Sequence, residues 1–463
     1  MESLQIKGAI LSPSSGDAYT AALKRNSDLS TLRAAYVVQP ATVSDIPLVL
    51  AYAAAQSPPL EVAVKGGGAH SSTWASSEGG IVIDLSKLNK VTLAEDKQSI
   101  SVQGGALWED VYKVTSQANV DVVGAPLWFV GVGGFTLGGG YGPLSGEHGL
   151  AIDNLLSATV VLDDGRVVRT SAEEEPDLFW AIRGGGGQFG IVVEFVFKVH
   201  PYAGPFTGGL LVCPVADKAD LAKISDLITE WKKAQTSAER FTLHFSRPPP
   251  EFKPCVLIFP STLHDADGAR AHDSFAPFLE LGRPALPFKP APDFLTVSHA
   301  ADRALEHAPR RLAIRGTMFT DFFPELLGAV WDKWLEFTEG NADVRSSAVL
   351  WDCTVPDRIA DVKPGDTALK TRVPHYWMAV QGRSTTDESV DACRNFTADV
   401  AQFVRAKNTE LSGQDLGWLF NMCQGDEKPE DVFGENLPRL REIKDKYDPK
   451  NVFSRGVSVK SRT

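Results

Sequence analysis

Residues Val62 to Trp74, VAVKGGGAHSSTW, strip the backbone almost bare and then present one imidazole. Gly66, Gly67, Gly68 and Ala69 precede His70, and Ser71, Ser72 and Thr73 follow it. Three more glycine clusters lie downstream: Gly104-Gly105, GVGGFTLGGGYG from Gly131 to Gly142, and Gly184–Gly187. Glycine lets backbone N–H groups approach an anion closely and accepts positive φ. Four such loops together point to a large, flat, phosphate-bearing ligand laid across several strand ends. A nicotinamide-type fingerprint fits badly. Gly131 and Gly133 match its first two glycines, but Thr136 holds the third place. No GxxxxGK[ST] run occurs, which excludes a P-loop.

Each cluster follows or joins a predicted strand. YVVQPATVSDIPLVLAYAAAQ reads as a strand, an N-cap at Thr42 or Ser44, and an amphipathic helix. GGIVIDLS, QSISVQGG, LLSATVVLDDGRVVRTS and FGIVVEFVFKVHP read as strands, with Asp164-Gly165 as a hairpin signal. Beyond Pro201 the glycine clusters stop. RFTLHFS, CVLIFP, RLAIRGTMF, SAVLWDC and HYWMAVQG read as strands, interleaved with helical PELLGAVWDKWLEFTEG and ESVDACRNFTADVAQFVRAK. That mixture predicts an α+β lobe with an antiparallel sheet. A last helix is expected from about Leu437 to Tyr447, stopped at Asp448-Pro449.

Composition narrows the classes. The chain has 463 residues, 43% hydrophobic and 22% charged, with a net charge of -12. A nucleic-acid partner would want a basic field, so none is expected. No apolar run is long enough for a transmembrane helix, so no membrane association is expected either. The N-terminus lacks the features of a secretory signal, which favours the cytoplasm and leaves secretion open. Five scattered cysteines without a CxxC pair read as buried reduced thiols. No metal site is expected.

The chain resembles the berberine-bridge-type FAD-linked oxidases of the vanillyl-alcohol-oxidase superfamily, whose FAD-binding domain is of the PCMH type. The resemblance rests on VAVKGGGAHSS, GGIVIDLSKLNKVT, SVQGGALWEDV, GVGGFTLGGGYGPLSGEHGLAIDNLLSATVVLDDGRVV, PDLFWAIRGGGGQFGIVVEFVFKVHP and ENLPRLREIKDKYDPKNVF. It covers most of residues 36–201 and 414–453. It implies an α+β, two-lobed fold: an FAD-binding part over residues 1–203, an inserted antiparallel-sheet substrate lobe over 204–413, and a C-terminal segment over 414–463 that returns to the first part. It also implies hydride transfer from a small, mostly apolar natural-product substrate to flavin N5, with O2 among the electron acceptors. A flavin-scaffolded cyclase without net redox and a carbohydrate oxidase are the alternatives.

The resemblance assigns Lys65, Gly66, Gly67, Gly68, Gly131, Gly133, Gly134, Gly138, Gly142, Asp153, Asn154, Ile191, Val192 and Asn421 to the cofactor. In the family a histidine after the first glycine cluster bonds the flavin 8α-methyl, which makes His70 the candidate anchor. The family writes K-G-G-G-H or R-S-G-G-H, whereas here Ala69 stands at that place. Either the loop bulges and His70 still makes the bond, or FAD is held non-covalently. Relatives with a second bond carry a cysteine where this chain has Leu127, so no cysteinyl link is expected.

Many relatives place a base in a Tyr-x-Asn-Tyr motif. Here the segment is Leu419-Phe420-Asn421-Met422, which keeps only Asn421, itself a catalytic candidate. Asp352, Arg372, His375 and Tyr376 are the replacement candidates for the proton acceptor. Trp128, Phe129, Trp351, Trp377 and Trp418 are expected to line an aromatic pocket.

Overall fold

The computed structural model describes Met1 and residues 4–460. Its strands form three main sheets. The first has the spatial order Ala9–Leu11, Tyr36–Gln39, Ile81–Asp84, Val62–Lys65. Tyr36–Gln39 and Val62–Lys65 both run parallel to Ile81–Asp84. Parallel strands need crossover connections: the helix Asp45–Ala54 lies in the one from Tyr36–Gln39 to Val62–Lys65, and residues 66–80 make the one from there to Ile81–Asp84. Ile81–Asp84 is buried along its whole length, as a central parallel strand covered on both faces must be.

The expected N-cap is refined. Ser44 occupies the cap without a side-chain bond. The Asp45 carboxylate instead accepts from the N–H groups of Ala41 and Thr42, and from that of Lys7.

The second sheet is antiparallel, in the order Val91–Leu93, Ser99–Gln103, Ile191–Lys198, Leu155–Val161, Val167–Ser171. Asp164-Gly165 does form the hairpin, with Gly165 at φ +85. The GVGGFTLGGGYG stretch is not all loop: Val132–Leu137 forms a short helix.

The third sheet has seven antiparallel strands drawn from residues 206–384. Their order is Arg283–Ala291, Phe206–Pro214, Cys255–Thr262, Glu239–Ser246, Ala348–Cys353, Tyr376–Ser384, Arg311–Phe319. Helices Lys218–Lys232, Pro324–Gly340 and Val390–Ser412 accompany it. The period-2 rule then decides which side chains face the helices and which face the first part of the chain. Trp351 points to the helix side, 0% exposed, among Phe245, Phe319 and Phe322. Its neighbour Asp352 points the other way.

The architecture is α+β. The terminal helix covers Leu437–Tyr447, as the pattern predicts. All five cysteines are buried and free. Among the described residues no helix is long and apolar enough to cross a membrane.

Candidate functional site

Three glycine loops converge at the ends of the first two sheets. A β-carbon on Gly67 would stand 2.5 Å from the Gly131 nitrogen, and one on Gly66 or Gly133 would stand 3.3 Å from the Gly104 carbonyl oxygen. Bare backbone is therefore the condition for these loops to meet. Beside this junction the backbone stays open for a ligand. Among the described residues, none of the N–H groups of Gly67, Gly68, Ala69, His70 and Ser71 donates to a protein acceptor, nor do those of Gly133 and Gly134. A β-carbon on Gly134 would meet nothing within 4 Å. The Thr136 hydroxyl is buried without a protein partner. Orphaned donors around open space fit a phosphate-bearing cofactor, because a buried N–H without an acceptor is otherwise costly.

A cleft with about 360 Å³ of unfilled space, part of it open to solvent, separates this region from the seven-stranded sheet. Tyr141, Gly142 and Ser145 line it from one side, and Arg240, Asp352 and Trp377 from the other. Tyr141 Oη lies 2.8 Å from His375 Nε2. His375 Nδ1 lies 2.7 Å from the Val373 carbonyl oxygen. A carbonyl only accepts, so Nδ1 carries the ring hydrogen and Nε2 offers its lone pair. Tyr141 therefore donates its hydroxyl hydrogen to His375. Burial lowers the His375 pKa to about 4 and raises that of Tyr141. Both are thus neutral near neutral pH. A second cavity of about 280 Å³ adjoins the same tyrosine at Lys370 and Trp418.

 

The walls of that second cavity are Met318, Leu369, Lys370, Thr371, Trp418 and Phe420, with Tyr141 standing between the two spaces.

Residues 34–171 match the family described as FAD binding domain, and residues 420–460 match the one described as berberine and berberine like. The FAD-linked oxidoreductase pgmH of Aspergillus terreus is 30% identical over 485 residues, covering 98% of this chain and 94% of that protein. The chain belongs to the berberine-bridge-like FAD-linked oxidoreductases. Among solved structures, the xylooligosaccharide oxidase from Myceliophthora thermophila C1 superposes with a TM-score of 0.82 at 23% identity, over 99% of this chain and 98% of that one. The glucooligosaccharide oxidase from Acremonium strictum, whose flavin is described as 6-S-cysteinyl, 8α-N1-histidyl FAD, gives a TM-score of 0.78 at 21% identity, over 98% and 97%. At these identities the two structures establish the shared fold.

Within this berberine-bridge-like frame, several expected cofactor residues turn out to be held by protein. The Lys65 ammonium pairs with Asp84 at 3.1 Å. Asp153 forms a two-point ion pair with Arg372, at 2.8 and 2.9 Å, and accepts from the Leu150 N–H. Asn154 donates to the carbonyls of His148 and Leu150, and its Oδ1 lies 2.7 Å from His200 Nε2. The charges and polar atoms of these side chains have protein partners that brace the loops around them. Ile191 and Val192 are buried strand residues, and the Val192 carbonyl closes on Gly104. Gly138 admits the Asn421 amide, and Gly142 lies against the Gly124 carbonyl.

The proton-acceptor candidates separate in the same way. Asn421 donates to the Phe135 carbonyl at 2.9 Å and accepts from the Gly140 N–H at 3.2 Å, so it clasps the glycine loop. Arg372 is occupied by Asp153. Asp352 lines the cavity but is ion-paired with Arg240. Tyr376 borders the cavity, yet its ring packs against Phe319 and Phe322, with Lys232 Nζ 4.4 Å from its centroid. His375 alone offers a neutral nitrogen that already receives a hydroxyl. Its partner Tyr141 escaped the sequence reading. The available signal was a tyrosine inside GGGYG, the one aromatic hydroxyl in the four glycine clusters.

The expected aromatic pocket is also revised. Trp377 and Trp418 border the cavities. Trp351 faces the helices, and Trp128 stacks on His299 while donating to Asp302 at 2.7 Å. Phe129 meets the Trp128 ring edge-on.

Proposed function

We propose that this protein oxidises a small, mostly apolar organic molecule bearing a hydroxyl group, with Tyr141 and His375 receiving the substrate proton. The observation that carries this reading is the Tyr141–His375 hydrogen bond in the cavity between the glycine loops and the sheet. Bound FAD supplies the two-electron acceptor for the substrate's hydride. Residues 67–71, Gly133, Gly134 and Thr136 would hold it, since their free N–H groups and the Thr136 hydroxyl await partners.

Because Tyr141 points its hydrogen at His375, its oxygen keeps lone pairs for a substrate hydroxyl. The substrate proton then moves to the Tyr141 oxygen while the phenol hydrogen moves to His375 Nε2. The Val373 carbonyl keeps His375 in the tautomer that can receive it. Trp377 gives the cavity an apolar wall, and Ser145 and Thr354 give it small polar groups.

The test is anaerobic mixing of the flavin-loaded protein with panels of phenols, alcohols and oligosaccharides. Bleaching of the oxidised flavin by phenols or apolar alcohols supports the reading. Bleaching by oligosaccharides alone moves the assignment to a carbohydrate oxidase. Product formed without bleaching overturns it in favour of a cyclase.

A further inference from the structure

We propose that this chain holds FAD without a covalent bond, and that His70 is a positioning residue pinning the first glycine loop to the C-terminal segment. The inference rests on FAD as the cofactor, and not on the choice of substrate.

A histidine can bond an electron-poor methyl group only through a ring nitrogen whose lone pair is free and aimed at it. Neither nitrogen of His70 meets that condition. Nδ1 accepts the Ser72 N–H at 2.9 Å, so its lone pair is turned into its own loop. A neutral imidazole then carries its hydrogen on Nε2. Nε2 is shut off from solvent and has no hydrogen-bond partner in the protein. No protein group stands at hydrogen-bond distance to take the proton that Nε2 would have to lose. Ala69, one residue earlier, has no nucleophile to offer.

The same ring is built into a clasp. Trp74 stacks on His70 with centroids 4.9 Å apart and planes 9° apart. The Trp74 indole N–H donates to the Gln424 carbonyl at 3.1 Å. The Gln424 amide returns to Ser71 Oγ at 3.2 Å and to the Ile314 carbonyl at 2.6 Å. Loop 66–72, the C-terminal segment and the seven-stranded sheet therefore meet at His70 and its neighbours. The five N–H groups from Gly67 to Ser71 are held open for the cofactor by contacts on the far side of the loop.

The experiment uses the full chain purified with its flavin. After acid precipitation the yellow colour should pass into the supernatant, and the polypeptide should show its own mass with no flavin adduct. Flavin that stays with the pellet overturns the non-covalent assignment. A colourless protein that takes up no added FAD overturns the cofactor itself, which is a different result.

The clasp is tested by FAD titration of the deflavinated protein. Trp74→Phe keeps the stack and deletes the bond to Gln424. His70→Ala deletes the stack and the acceptor for the Ser72 N–H, and His70→Asn restores that acceptor. Trp74→Phe and His70→Ala should each raise the Kd for FAD about fivefold to tenfold, the size of one neutral hydrogen bond. His70→Asn should recover most of the loss. An unchanged Kd in both Trp74→Phe and His70→Ala, or equal losses in the Ala and Asn variants, overturns the positioning role.

Discussion

Gly67 and Gly131, far apart in sequence, lie backbone against backbone where the loop after strand Val62–Lys65 meets the start of helix Val132–Leu137. A β-carbon on Gly67 would fall 2.5 Å from the Gly131 nitrogen and 2.6 Å from its α-carbon. Neither atom is the end of a flexible side chain, so one loop must move. Gly67→Ala is expected to cost about 1–3 kcal/mol in stability, the range for overpacking, and to weaken FAD retention. Urea denaturation and the flavin-to-protein absorbance ratio check this. A variant with full stability and full flavin content would show that the loops do not need this contact.

The Tyr141–His375 pair predicts a catalytic loss separable from binding. Tyr141→Phe should slow flavin reduction by substrate about 10²- to 10⁴-fold, the usual weight of a positioned proton acceptor, while flavin content stays normal. His375→Gln should show a loss of the same direction. Rapid-mixing reduction kinetics provide the measurement. Wild-type rates in Tyr141→Phe would remove this residue from the chemistry. With His375 lowered to about 4 by burial, the reduction rate should fall only as the pH drops toward that value, because protonation there removes the acceptor.

Asp153 and Arg372 join the glycine-loop region to the segment before the Tyr376–Ser384 strand. Their side chains are 8% and 0% exposed. Removing one partner leaves a buried charge, so Asp153→Ala should lower stability by about 3–5 kcal/mol. Chemical denaturation measures it. A loss below about 1 kcal/mol would place the pair in the class of solvent-screened surface bridges.

Two buried histidines predict the acid side of the stability profile. His375 is lowered to about 4 and His200 to about 3, burial being the first cause in each. Both folded values lie below the unfolded value of about 6.5. Between these limits the unfolded chain binds more protons than the folded one. Their stabilisation is therefore fully present above pH ~6.5 and declines as the pH falls toward the folded values. The slope is about 1.4 kcal/mol per pH unit for each histidine. Denaturation midpoints at pH 7, 6 and 5 should fall in that order, and a level profile would contradict the assignment.

Much of this was legible in the chain itself. Hydrophobic periodicity marked the strands around 81–84, 240–246 and 311–319 and the helix Leu437–Tyr447, because each pattern matches the geometry of a half-buried or buried element. Two of the glycine clusters marked the loops whose N–H groups are left without protein acceptors, at residues 67–71 and 133–134. Phe206–Pro214 and Arg283–Ala291 escaped notice. Gly208-Gly209 interrupts the first, and Pro284, Pro287 and Pro290 mark the second as an edge strand that tolerates missing N–H groups.

Local pattern determined the α+β character, and the resemblance of contiguous motifs to a known family supplied the cofactor and the His70 question, because both rest on residues close together in the chain. Tertiary structure decided which polar groups are free. Asp153, Asn154, Lys65 and Asn421 carry the right chemistry for a ligand, but partners up to hundreds of residues away already hold them. Tyr141 and His375 are 234 positions apart, and no local pattern announces their hydrogen bond. Only the packing of the glycine loops against the sheet brings a donor and an acceptor together in the cleft between them. The same packing turns both nitrogens of His70 inward.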